Sequence, residues 1–402
     1  MTPADCCKAI DEHLNKSHQI WLLGAGVSKE SGIPLMYPLT DQVEARLEEP
    51  YRATFHALRG ILDPKAHVET VLTHVVNLIA VAEVTVQQSV DVAGSSKTVA
   101  DLKTLHRKVQ EGIRDVIRWG YIPAEEAMPA KVGDRMNPIV SVEHHDDFVR
   151  AFFAVRRQHQ DSFAPIAFFT TNYDTLLEDA LALRRVQYLD GFNGGSLAFW
   201  NPDSHQGAYR KPFERVDQVR AKIYKLHGSI DWFEDKHDIV VRLRENCLYP
   251  PTNTGNLVIY PASTKYAIAR REPFLSASSA FRDALRITNQ GLIAVCGYSF
   301  SDDHITDEIE RALMNRGNEL TLVAFAHQRS GDFDEHQNLP PRLARLLAGA
   351  EQDWSKRVFV CGSRGFYHGD LTNHCPAANE QPHPWWSFRG VTQLLRDGRV
   401  DA

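Results

Sequence analysis

One repeated unit constrains the fold of this chain more than any other feature. A short apolar run closes on a glycine or small polar motif, and a helical period often follows. Gln19 to Leu23 ends at Gly24-Ala25-Gly26, and Pro165 to Phe169 runs into Thr170-Thr171-Asn172. Lys222 to Leu226 ends at His227-Gly228, Leu292 to Cys296 ends at Gly297-Tyr298-Ser299, and Leu320 to Ala324 is a fifth run. Helical spacing follows at Leu176 to Leu183 and at Thr306 to Met314. Continuous apolar runs of this length read as strands buried on both faces, and their alternation with helices predicts a parallel sheet with helices on either side. In such sheets a ligand sits beyond the carboxyl ends of the strands. Four of the motifs lie at those ends, so a shared crevice is expected there.

The expected fold class is therefore α/β, a Rossmann-like parallel sheet with a large helical insert and a C-terminal extension. The sheet domain is assigned to residues 1–36 and 161–330, the insert to 37–160 and the extension to 331–402. Within the insert, Val68, Val71, Leu72, Val75, Ile79, Ala82 and Val86 recur at helical spacing, while Val76, Val81 and Val84 fall off that stripe. A helix apolar nearly all round is expected to be covered, in its own domain or in an oligomer interface. Val90 to Val99, with Gly94-Ser95-Ser96, reads as a break before the next helix. The segment from Pro376 to Trp386 reads as irregular.

Composition narrows the function classes. With 51 acidic and 45 basic residues the formal charge is −6, so the basic excess that displaces counterions from phosphates is absent and strong intrinsic nucleic-acid binding is not expected. Arg342, Arg345 and Arg357 read as a solvated face. The polar start resembles no signal peptide, and the most apolar run, Val71 to Val86, is interrupted by polar residues and short for a membrane span. No membrane association and a cytoplasmic location are expected. The six cysteines include no C-x-x-C pair, which predicts reduced thiols. Cys361, His368, His374 and Cys375 match no common zinc spacing, so no metal is expected. His144-His145-Asp146-Asp147 reads as a solvated turn.

The longest motif is Gly24-Ala25-Gly26-Val27-Ser28-Lys29-Glu30-Ser31-Gly32-Ile33-Pro34. Glycines after a strand let backbone approach a pyrophosphate, and the helix start that follows offers N–H groups to its charge. A turn whose glycines serve packing alone is the alternative. Gly32 stands six residues after Gly26, and no strand ends in an acidic residue about 20 positions on, so a dehydrogenase fingerprint is absent.

This string resembles the first motif of the sirtuins, the NAD⁺-dependent deacylase and NAD⁺-hydrolase superfamily. Three more pieces follow in that family's order. Thr170-Thr171-Asn172-Tyr173-Asp174 resembles its Thr-Gln-Asn-Ile-Asp, Leu226-His227-Gly228 its catalytic His-Gly, and Gly297-Tyr298-Ser299 the Gly-Thr-Ser that holds adenosine. The departures are specific. Leu35-Met36-Tyr37 replaces the Asp-Phe-Arg of deacylases, Thr171 replaces a glutamine, and the four-cysteine zinc ribbon has no counterpart. With Gly297-Tyr298-Ser299-Phe300-Ser301-Asp302-Asp303, these features look like the bacterial sirtuin-like effectors of anti-phage defence, and are most similar to the subunit that partners a HerA-type ATPase.

The resemblance implies NAD⁺ as substrate and cleavage of its nicotinamide–ribose bond, through an oxocarbenium-like centre as in glycoside cleavage. It implies Asn172 and His227 as catalytic residues. Asn172 would hold water and ribose, His227 would act as base, and Asp174 would take the carboxamide N–H. Gly24, Ala25, Gly26, Ser28, Ser31, Gly32, Thr170, Thr171, Gly297, Tyr298 and Ser299 would contribute to binding. N-capping is the structural alternative for Asn172 and Asp174. An acyl-lysine deacylase and a non-catalytic NAD⁺ or ADP-ribose sensor are the rival functions. A freely active NAD⁺ hydrolase would harm its own cell, so a homo-oligomer and a HerA-type ATPase partner are the expected associations.

Overall fold

The computed structural model describes residues 1–125, 128–156, 165–206, 219–234, 239–244, 257–259, 271–287, 290–329, 336–349, 353–377 and 381–400. In chain order the strands are β1 (His18–Leu23), β2 (Ser89–Val92), β3 (Ser95–Thr98), β4 (Tyr121–Ile122), β5 (Lys131–Val132), β6 (Ile166–Thr170), β7 (Tyr188–Leu189), β8 (Phe192–Gly194), β9 (Leu197–Trp200), β10 (Ala221–Lys225), β11 (Gly228–Glu234), β12 (Val240–Leu243), β13 (Leu257–Ile259), β14 (Gly291–Cys296), β15 (Leu320–Ala326), β16 (Val358–Gly362) and β17 (Gly365–His368).

The main sheet has eight strands in the order β17-β16-β15-β14-β1-β6-β10-β7. Its pairs are parallel except β16 with β17, which are antiparallel. The Rossmann-like parallel sheet is as the alternation predicts. Its two faces alternate residue by residue, as a pleated strand requires. Trp21, Leu23, Phe168, Ala294, Val323 and Phe325 enter one core. Ile20, Leu22, Phe169, Ile293, Val295, Leu322 and Ala324 enter the other. The helices Phe274–Ala284, Asp303–Met314 and Pro341–Ala348 cover the second face, contributing Phe281, Ile309 and Leu343 to its core.

The segment 331–402, read from sequence as an extension, supplies β16 and β17 to this same sheet, and its helix Phe388–Asp397 buries Val391, Leu394 and Leu395 in the first core. Residues 37–160 likewise serve two cores. The helices Met36–Arg46, Tyr51–Ile61, Val68–Val84 and Val99–Trp119 build their own, around Val43, Phe55, Val71, Leu72, Val109 and Ile113. Phe148 and Phe152, by contrast, pack edge-on to Trp21 at 5.4 and 5.5 Å in the sheet core.

Two local readings are corrected. Val90 to Val99 is a hairpin of β2 and β3 rather than a simple break, and Thr98 then starts the helix Val99–Trp119 through a reciprocal cap with Asp101. Within this chain the helix Val68–Val84 leaves Val81 and Val84 exposed and Val76 half-buried, so its own domain does not cover it all round. The cluster at 144–147 is helical, within Glu143–Val149, and His145 is buried there rather than solvated. Among the described residues, no helix is long and apolar enough to cross a membrane.

A second sheet, in the order β13-β11-β12-β9-β8, has no forerunner in the sequence reading. Its strand β11 begins one residue after His227, and Ile230 of that strand joins the core of the helical insert. The chain thus turns from one sheet into the other at His227.

Candidate active site

Four strands of the main sheet end on one row. Cys296 pairs with Leu23, Leu23 with Thr170, and Thr170 with Lys225. At about 4.8 Å per strand the row spans about 14 Å. Immediately beyond it the four motifs begin, and the backbone stays paired for one more step. Gly24 N–H donates to the Cys296 carbonyl at 2.9 Å, Thr171 N–H to Leu23 at 3.1 Å, and Leu226 N–H to Thr170 at 2.8 Å. Asn172 and His227 therefore stand two residues beyond paired positions on adjacent strands. Strand β14 lies on the opposite side of β1 from β6 and β10, so the chain order reverses at β1, where an open α/β sheet leaves its crevice.

The first and fourth motifs are pressed together. Gly26 N–H donates to the Gly297 carbonyl at 2.9 Å. A Cβ on Gly24 would stand 2.5 Å from the Gly297 oxygen, and one on Gly26 would stand 2.7 Å from the Gly297 Cα. Gly297 itself has φ +66°, and its Cβ would fall 2.5 Å from the Val27 nitrogen. These glycines thus have a packing role of their own. The turn that follows Gly24 is a 3₁₀ turn, Ala25–Ser28, and the α-helix begins only at Met36, later than the helix start expected directly after the glycines. Ala25 is exposed and Gly26 half-buried, so they form the accessible part of this turn. Ser31 and Gly32 lie deeper. The Ser31 carbonyl accepts from Ser141 N–H at 3.0 Å, and the Gly32 carbonyl from Tyr121 N–H at 2.9 Å, which pins the motif to the insert.

The second motif is fixed by its own polar groups. Thr170 Oγ1 accepts from Asn172 N–H at 3.0 Å. Ser28 Oγ donates to Asp174 Oδ2 at 2.8 Å and accepts from Asn172 Nδ2 at 3.1 Å. Asp174 Oδ1 accepts from Leu176 N–H at 3.0 Å, a turn bond one residue before the helix N-cap, Thr175, in addition to its link to Ser28. Asn172 is buried, and its Oδ1 has no hydrogen-bond partner among the described residues. A buried amide oxygen left unpaired costs about 1–3 kcal/mol, so its presence at a strand end marks a place for a ligand donor. Thr171 is half-buried beside it.

Sequence reasoning missed the charges beneath this loop. Lys225, buried at the end of β10, donates from Nζ to the Asn172 carbonyl at 3.3 Å and to the Asp174 carbonyl, and pairs with Glu178 at 3.3 Å. Burial raises the Glu178 pKa, against the lowering effect of Lys225 and Arg244. From the insert side, Tyr173 Oη donates to Glu69 Oε1 at 2.5 Å. His145 Nδ1 lies 3.4 Å from Ser31 Oγ, and burial lowers its pKa to about 4.

His227 is largely enclosed, and its Nε2 lies 3.0 Å from Asp302 Oδ2. Asp302 caps the helix Asp303–Met314, accepting at Oδ1 from His304 N–H at 3.1 Å and Ile305 N–H at 3.4 Å. Its position before an amphipathic helix is legible in the sequence, but its pairing with His227 is not. Tyr298 is a core residue whose hydroxyl donates to the Asp302 carbonyl at 3.2 Å, whereas Ser299 is exposed and bonded to Ser301 at 2.6 Å.

Other sequence candidates are occupied elsewhere. Arg342 pairs with Asp303, Asp307 and Glu310, Arg345 with Glu310, and Arg357 donates to the carbonyls of Leu313, Asn318 and Leu320. Arg342 and Arg345 share Glu310, and Arg345 is exposed as expected, whereas Arg342 and Arg357 are half-buried rather than solvated. His368 bonds the Lys356 carbonyl at 2.9 Å and His374 lies 3.4 Å from Asp370, while Cys361 and Cys375 are buried. Among the described residues no group of three or more His, Cys, Asp or Glu side chains could hold a metal ion. Cys247 lies outside the described residues.

Comparison with known proteins places a SIR2-like domain on residues 166–347, a range that contains Asn172, His227 and Gly297. Curated proteins yield no match. Among solved structures, the chain is similar to a Sir2 homologue–NAD complex at 14% identity, with 83% of this chain and 85% of that one covered and a TM-score of 0.36. A structure described under the mechanism and regulation of Sir2 enzymes matches at 14% identity, 79% and 85% coverage and TM-score 0.34. A mutant Sir2 homologue in complex with ADP-ribose matches at 11% identity, 79% and 85% coverage and TM-score 0.34.

Proposed function

We propose that this protein is an NAD⁺ glycohydrolase that cleaves the nicotinamide–ribose bond to give nicotinamide and ADP-ribose. The observation that carries the reading is the buried Oδ1 of Asn172, without a hydrogen-bond partner among the described residues, on a side chain whose Nδ2 is held by Ser28 just past the end of β6 and beside β10, which His227 follows. The leaving group needs no strong general acid, because the nicotinamide of NAD⁺ is already cationic. The C1′–N bond breaks with its electron pair going to the nicotinamide nitrogen, which leaves neutral. Asn172 Oδ1 accepts from the ribose hydroxyl or the attacking water, and His227 takes the proton as the water oxygen bonds to C1′. Asp174 retains lone pairs for the carboxamide N–H beyond those engaged by Ser28 and Leu176. The exposed Ala25 offers its backbone N–H to the pyrophosphate, the N–H of Gly26 being engaged by the Gly297 carbonyl.

Water as acceptor, in place of an acyl-lysine, is favoured by the sequence Leu35-Met36-Tyr37 and by the lack of a four-cysteine ribbon motif. In a cell the same activity would empty NAD⁺ as an anti-phage effector, in a homo-oligomer working with a HerA-type ATPase. The exposed Val81 and Val84 support self-association of the helical units. The test is to incubate the full chain with NAD⁺ and follow nicotinamide by chromatography, without and with an acetylated peptide. Release without peptide is expected, and Asn172→Ala should lower it at least about 100-fold. Release only with the peptide would establish the deacylase instead.

A further inference from the structure

We infer that Asp302 is a positioning residue for His227, holding the imidazole in the tautomer whose basic nitrogen is Nδ1. The inference starts from geometry that no motif records. Asp302 comes from the segment after β14, and His227 from the junction of β10 and β11, on strands separated by β1 and β6. Their side chains nevertheless meet at 3.0 Å, both nearly enclosed.

Asp302 is itself held on every side. Its Oδ1 accepts two N–H groups of the helix Asp303–Met314, and its carbonyl accepts from Tyr298 Oη at 3.2 Å and from Thr306 N–H at 3.0 Å. A helix N-terminus favours the ionised carboxylate, and an ionised carboxylate only accepts. The hydrogen in the contact with His227 therefore belongs to Nε2. A neutral imidazole with its proton on Nε2 carries its lone pair on Nδ1, so the carboxylate selects which nitrogen can act as base. It also stabilises the imidazolium formed when that nitrogen takes a proton, the role a buried aspartate plays in a hydrolytic triad. The arrangement gives the fourth motif a second task. The segment that packs against the glycine turn also orients the base across two intervening strands.

The kinetic arm of the test rests on the glycohydrolase reading, and the spectroscopic arm does not. In the full chain carrying ¹⁵N-histidine, the His227 resonances are identified by their loss in His227→Ala, and their nitrogen shifts report the tautomer. The wild type should show the Nε2–H form. Asp302→Asn keeps the helix cap, because asparagine caps as well as aspartate, and Asp302→Ser caps without reaching the ring. Both should lose the single Nε2–H signature. With NAD⁺, kcat should fall at least about 10-fold in each while KM moves less than about threefold, since an interaction made in the transition state is removed. A wild type in the Nδ1–H form would overturn the inference. So would both variants with unchanged His227 shifts and unchanged kcat. If the wild type releases no nicotinamide, the glycohydrolase reading fails and the tautomer still decides whether Asp302 orients His227.

Discussion

Acid should loosen the floor of the candidate site through one histidine. His145 is 1% exposed, with Ser31 Oγ 3.4 Å from its Nδ1 and the Phe388 ring 5.0 Å from its own. Burial lowers its pKa from the ordinary 6.5 to about 4; Asp174 pulls the other way, and His144 adds to the lowering. Between those two values the unfolded chain binds a proton that the folded chain does not. Stability from the neutral ring is therefore complete above about pH 6.5 and drains away as the pH falls toward 4. At about 1.4 kcal/mol per pKa unit the whole effect is worth about 3 kcal/mol, most of it spent by about pH 4.5. His13 and His106 are likewise lowered to about 4 by burial and act in the same direction, so the effect of His145 must be isolated by difference. Urea unfolding at about pH 7 and about pH 4.5 would be compared for the wild type and His145→Phe, which keeps an aromatic ring beside Phe388. The wild type should lose about 2 kcal/mol more than the variant over that interval. Equal losses would refute the reasoning and mean that His145 does not bury a neutral ring against Ser31.

Two further substitutions probe how the loops are held. Gly297→Ala would place a Cβ against Val27 in a left-handed backbone and should cost at least about 2 kcal/mol in urea unfolding, whereas Gly60→Ala, in a helix with open space around it, should be neutral or stabilising; equal behaviour would deny the interlock of the two motifs. Lys225→Met would leave Glu178 buried with only Arg244 acting on it as a cation, and would remove the Lys225 bonds to the carbonyls of Asn172 and Asp174, at a cost of about 3 kcal/mol, and adding Glu178→Leu should recover part of it; a single variant as stable as the wild type would remove Lys225 as the support of the loop.

The sequence by itself determined the parallel sheet, because a strand buried on both faces must be apolar without interruption, and runs such as Leu292 to Cys296 admit little else. It also located the helix Leu176–Leu183 to the residue, since its polar and apolar positions follow the helical period. The order of the four motifs at strand ends was legible for the same local reason. Tertiary structure decided what those ends do together. Strand order sets Asn172 and His227 on neighbouring strands, and no local pattern encodes which strands pair. Val358 to Gly362 reads as a strand only once β15 offers it an edge, so the extension became part of the sheet. The second sheet is built from strands as short as three residues, too short for a period to show. His145 looked solvated because its neighbours His144, Asp146 and Asp147 are polar, and only the packing of Phe388 and Ser31 against it made it a buried, neutral ring. Asp302 could be read as a helix cap from its place in the chain, but its carboxylate has two oxygens, and only the fold brought His227 to the second.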